Sequence, residues 1–189
     1  MILGKEHILE AIESGDIIAD GVNHNNVGTN SIDVTLGDEL FEVVGNVNSF
    51  NFLDENLRIN DLIDLNKPSK IRRVDYDSSA GWIIRPGRLY LGTTAETVGS
   101  KKYVPIMHGR STPARSGFSP IVSAGYGDVG FIGKWTLEIT TQAHPMIIKA
   151  GMRIAQIEFQ EVSSTKYQYT DRGNYVGQDS VRAGKEGNV

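Results

Sequence analysis

Short apolar runs set off by turn residues dominate the chain after Gly81, at 82–84, 89–93, 103–107, 135–139, 146–148 and 154–159. Runs of that length between glycines, prolines and small polar residues read as strands, and their spacing suits a jelly roll or barrel. Upstream, Ile32, Val34 and Leu36 alternate with Asp33 and Thr35; Gly37-Asp38 interrupts, and 40–44 resumes the strand pattern. One stretch is helical in spacing: Ile8, Leu9 and Ile12 share a face of 5–14, and Gly15 stands where a left-handed C-cap falls. The polar, Asn- and Asp-rich stretch 45–79 reads as a long excursion with short strands and no domain boundary. From about 173 the chain is polar and Gly-containing, which predicts a mobile tail that orders on binding. The expectation is an all-β fold, a distorted jelly roll or β-barrel with a short N-terminal helix, forming one domain over 1–189.

Composition narrows the function. With 39% hydrophobic residues in 189, the chain can bury a real core. A formal net charge of −4 provides no global basic field, so a nucleic acid polymer is disfavoured and any polyanion must meet local basic groups. No long apolar run and no basic-then-apolar leader are present, which points to a cytoplasmic protein with no membrane partner. There is no cysteine, so disulfides and thiolate zinc centres are excluded. His7, His24, His108 and His144 lack metal-ligand spacing, and no protein-bound metal is expected.

The chemistry concentrates between Gly109 and Glu138. Arg110, Ser111, Thr112 and Arg115 bracket a turn and can donate charge-assisted hydrogen bonds to phosphate, although such a segment is also an ordinary solvated surface turn. Strand alternation puts Trp135, Leu137 and Ile139 on one face, and Thr136, Glu138 and Thr140 on the other. Glu138 is then either an exposed strand residue or, if it lines a pocket, a carboxylate able to shuttle protons. Asp128 follows two glycines, as a turn residue would, and Phe131 reads as core-facing.

These residues also carry a family resemblance. Gly109-Arg110-Ser111-Thr112-Pro113-Ala114-Arg115-Ser116-Gly117 is similar to the GRSSxARxG signature of dCTP deaminases, relatives of trimeric dUTPases. The stretch from Ser123 to Gly133 resembles that family's A-x-x-x-D-P-G-F-x-G turn, and Trp135-Thr136-Leu137-Glu138-Ile139 its TLEL strand. Weaker likenesses lie at 30–37, 86–91 and 150–157. Departures are Val129 for proline, Thr112 for the second serine, Pro113, Thr35 for an arginine, and Asn174 at the lysine position of a tail KYxxQ.

The resemblance implies zinc-independent deamination of dCTP to dUTP and ammonia. Glu138 would act as general base and acid, Ser111 and the carbonyl of Ala124 would position the water, and Arg115 would orient the pyrimidine and Glu138. Arg110, Ser111 and Thr112 would touch phosphate, Asp128 the 3′-hydroxyl, and Phe131 the sugar face where a 2′-hydroxyl would clash. Thr136, Leu137, Tyr167 and Gln178 would complete the substrate site. A homotrimer with inter-subunit sites and Mg2+ carried by the triphosphate are implied as well. Alternatives are a bifunctional enzyme forming dUMP, which Gly125 suits slightly better than a bulkier residue, a plain dUTPase, or a jelly-roll binding module without activity.

Overall fold

The computed structural model describes residues 1–44, 67–171 and 173–184. Helix α1 (Lys5–Glu13) opens the chain, Ser14 caps it, and Gly15 takes φ 75°, a left-handed value that glycine adopts without steric cost. Ile8 and Ala11 are buried beneath the helix, so its apolar face is the one that spacing identified.

Among the described residues twelve strands follow, all pairing antiparallel, and together they form a near-closed barrel. They are β1 (Ile17–Asp20), β2 (Ile32–Val43), β3 (Ile71–Arg73), β4 (Trp82–Ile84), β5 (Tyr90–Thr94), β6 (Thr97–Ser100), β7 (Val104–Gly109), β8 (Phe118–Ser119), β9 (Ile132–Gly133), β10 (Thr136–Thr141), β11 (Met146–Ile148) and β12 (Arg153–Gln160). A one-turn helix α2 (Ser111–Ala114) lies between β7 and β8. The main sheet runs β7-β12-β2-β5-β10-β8 with β3 on β2; a second runs β1-β6-β9, and β11 pairs β4.

Gly37-Asp38 does not end a strand. β2 continues through it, and its register with β5 shifts between Leu36 and Leu40. The pair therefore marks a bulge, where a strand bends without leaving the sheet. Of the long polar excursion, 45–66 lies outside the described residues, and the remainder contains β3.

The core gathers Trp82, Ile84, Leu137, Ile139, Ile157 and Phe159 from sequence-distant strands, each essentially inaccessible to water. Burying side chains of this size contributes about 1.5–3 kcal/mol apiece. Both tryptophan N–H groups are satisfied, Trp82 donating to the Val74 carbonyl at 3.2 Å and Trp135 to that of Val98 at 3.0 Å. At the end of β2 Glu42 is buried between Arg72 and Arg88. Burial disfavours its charge, but the hydrogen bonds and charges of both guanidiniums win and hold the carboxyl below its ordinary value. Among the described residues no helix is long and apolar enough to cross a membrane.

Candidate active site

β10 is central, paired with β5 on one side and β8 on the other. Its alternation is as read: Leu137, Ile139 and Thr141 are buried, while Thr136, Glu138 and Thr140 are half-exposed. The loop 121–128 turns back against β7, where Met107 N–H donates to the Gly125 carbonyl at 2.7 Å and Gly127 N–H to that of Pro105 at 2.9 Å. A Cβ on Gly125 would come within 2.5 Å of the Met107 carbonyl oxygen. This close approach accounts for the glycine without reference to product.

The loop surrounds the Glu138 carboxylate. One oxygen, Oε2, accepts N–H groups from Val122 at 3.2 Å, Ser123 at 2.9 Å and Ala124 at 3.4 Å. Among the described residues Oε1 takes part in no hydrogen bond. Three consecutive backbone donors form a concave anion nest, which fixes the direction of the carboxylate.

Glu138 and Ala124 line a cavity of about 330 Å³ together with Asp128, Phe131, Trp135, Thr136, Tyr126, Tyr169, Tyr175, Gln178 and Arg182. The turn carrying Asp128 is closed by its main chain, with Phe131 N–H donating to the Asp128 carbonyl at 3.1 Å and Gly130 at φ 90°. Phe131 meets Trp135 edge to face at 5.2 Å, so the expected core-facing ring is also a cavity wall. From the tail, Gln178 is buried at 4% exposure, and its side-chain amide donates to Thr136 Oγ1. Leu137 is wholly buried in the core, which leaves only its backbone for any ligand.

The arginine-rich segment stands apart from this cavity. Arg110, Ser111, Thr112 and Arg115 are not among the described residues that line it. Arg110 Nε instead donates to Asp33 Oδ1 at 3.0 Å, while Arg153 holds the other oxygen at 3.3 Å. Ser111, Thr112 and Arg115 are exposed on and after α2, beside the far end of β10. Tyr167, 78% exposed, lines a neighbouring cavity that shares Tyr126, Asp128 and Tyr169 with the first.

A family model described as dCTP deaminase-like matches residues 2–162. The chain belongs to that family. It is thus a member of an enzyme family, and the reading as a bare binding module falls. A Clostridium beijerinckii protein named "dCTP deaminase, dUMP-forming" is 34% identical over 184 residues, covering 96% of this chain and 94% of its own. A protein of the same name from Clostridium acetobutylicum is 32% identical over 182 residues, with the same coverages. Among solved structures, a 2′-deoxycytidine 5′-triphosphate deaminase from Agrobacterium tumefaciens superposes with a TM-score of 0.59 at 17% identity. That likeness covers 85% of this chain and 48% of the other, so the chain spans about half the length of that protein, and it speaks to fold alone.

Sequence motifs identified Ala124, Asp128, Phe131, Thr136, Glu138 and Gln178, and the fold brings all six to one cavity. Tyr126 and Tyr175 lay inside the motif stretches without a role assigned to them, and Tyr169 and Arg182 were missed. The last two stand in a polar segment without periodicity.

Proposed function

We propose that this chain deaminates dCTP and carries the nucleotide on to dUMP. The observation that carries the reading is a single cavity lined by two carboxylates, Glu138 and Asp128. Glu138 matches the deaminase motif, and Asp128 matches the position at which dUTPases activate water for attack on phosphorus. The sequence reading put dUTP first as product and dUMP second; relatives named dUMP-forming across nearly the whole chain reverse that order. A plain dUTPase would leave Glu138 and its backbone nest without a task.

In the first step Glu138 Oε1 takes a proton from water, and the hydroxide adds to C4 of cytosine. The carboxyl then returns the proton to the exocyclic nitrogen, the C4–N4 bond breaks, and ammonia leaves. Oε2 stays with the three N–H donors, so the carboxylate turns little during the exchange. In the second step another water attacks the α-phosphorus, the bond to the α,β-bridging oxygen breaks, and diphosphate departs. Asp128 is the carboxylate available for that water. Phe131, flat against the sugar, would reject a 2′-hydroxyl. Magnesium enters with the triphosphate, whose charge a few side chains cannot neutralise.

Ser111, Thr112 and Arg115 complete the site from a neighbouring protomer of a homotrimer. What supports this is their exposure outside their own protomer's cavity. Tyr167, Gln178 and the backbone of Leu137 stay in the substrate set, and the tail from about 173 covers the bound nucleotide.

The test is product analysis. The protein with dCTP and magnesium should release ammonia and diphosphate in equal amounts and yield dUMP. Ammonia with dUTP as the end product would restore the simpler deaminase, and no ammonia at all would refute the reading.

A further inference from the structure

Tyr169 opens the turn Tyr169–Asp171 that follows β12, lines the cavity, and contacts the Asp128 turn, Phe131 and the tail. Its N–H donates to the Val129 carbonyl at 2.7 Å, tying it to the turn that presents Asp128. Its ring meets Phe131 edge to face, centroids 5.5 Å apart and planes at 79°. Its hydroxyl accepts the Tyr175 N–H at 2.9 Å, and its carbonyl accepts that of Gly173 at 2.6 Å. Gly173 lies directly on the ring: a Cβ there would sit 2.2 Å from Cε1. Farther along the tail, the Gln178 carbonyl accepts Lys134 N–H at 2.8 Å, and a Cβ on Gly133 would come within 2.9 Å of that carbonyl oxygen. The tail turn is thus held by the hydroxyl and carbonyl of Tyr169, by the edge of β9 and by Thr136 of β10.

From this arrangement we propose that Tyr169 is a positioning residue with two separable tasks: its hydroxyl seats the tail over the nucleotide pocket, and its ring props Phe131 against the sugar. The proposal rests on the dCTP reading above. The two tasks reside in different atoms, so substitution can divide them. Tyr169→Phe keeps the ring stack and deletes only the acceptor for Tyr175 N–H. Tyr169→Leu deletes both.

The experiment compares wild type, the two substitutions, a chain ending at Gly173, and that truncation combined with Tyr169→Phe. Amide hydrogen exchange is measured at 174–178, and dCTP and CTP kinetics are followed in parallel. Tyr169→Phe should speed exchange in the tail and raise KM for dCTP about three- to tenfold, as expected for one lost hydrogen bond, with kcat within about twofold and the preference for dCTP over CTP intact. Tyr169→Leu should also narrow that preference. In the truncated chain, Tyr169→Phe should add nothing, because the hydroxyl then has no tail to hold. Unchanged exchange in Tyr169→Phe, or a penalty that persists after truncation, would overturn the coupling. Exchange needs no turnover, so a wild type inert toward dCTP would sink the dCTP reading while the seating of the tail by Tyr169 was still decided.

Discussion

Glu138 is held by one of its two oxygens, and that division is the most informative detail of the site. An exposed strand glutamate turns freely between rotamers, whereas Oε2 here meets three backbone donors while the residue lines the cavity. Preorganisation of this kind would spare the proposed reaction the cost of arranging its proton carrier. Ser123 donates the shortest of the three bonds, at 2.9 Å. Ser123→Pro removes that donor, and kcat for ammonia release should fall about tenfold while KM stays near wild type, in line with the roughly 1.4 kcal/mol that one charge-assisted bond can supply. Steady-state kinetics checks it; an unchanged kcat would show that the nest is incidental to the chemistry.

At the scale of elements, the junction of β2, β3 and the turn before β5 is held by Glu42 between Arg72 and Arg88. Its folded-state carboxyl titrates below the unfolded one, so its stabilisation is complete above about pH 4.3 and fades as pH falls through the lowered value. Glu42→Gln should cost about 2 kcal/mol at pH 7, and the variant and wild type should converge in melting temperature as the pH falls through the lowered carboxyl value. Equal melting temperatures at neutral pH would remove the pair from the account.

The same scale shows what local sequence can reveal. α1, β2, β4, β10, β11 and β12 were legible because their buried faces repeat at the period of their own element. β1, β6 and β9 were not. Thr97-Val98-Gly99-Ser100 has one large apolar residue, and its place depends on Gly99, where a Cβ would lie 2.0 Å from the Phe131 carbonyl oxygen. That contact joins residues far apart in sequence and leaves no periodic trace. The site divides in the same way: motif residues on β10 and its flanking turns were readable, while Tyr169 and Tyr175 acquire meaning only when the tail folds back on Phe131.

For the whole molecule, the separation of Glu138 from the exposed Ser111–Arg115 segment is the principal fact. If each site takes Glu138 from one protomer and Arg115 from the next, two inactive variants can repair each other. Protomers carrying Glu138→Gln, mixed one to one with protomers carrying Arg115→Ala and reassembled, should recover about a quarter of wild-type ammonia release, the chance that two intact contributions meet at one interface. No recovery, with trimers confirmed by light scattering, would place both groups within one protomer. Arg110 differs from Arg115 here, since its bond to Asp33 ties the end of β7 to β2.

Glu138 is the group proposed to move the proton at C4, and one measurement reaches it directly. Glu138→Gln keeps the shape and the contacts of the side chain but cannot accept a proton. Mixed in excess with radiolabelled dCTP, it should bind the nucleotide with an affinity near wild type and release no ammonia in a single turnover. Ammonia appearing at the wild-type rate would contradict the assignment and return Glu138 to the surface of an ordinary strand.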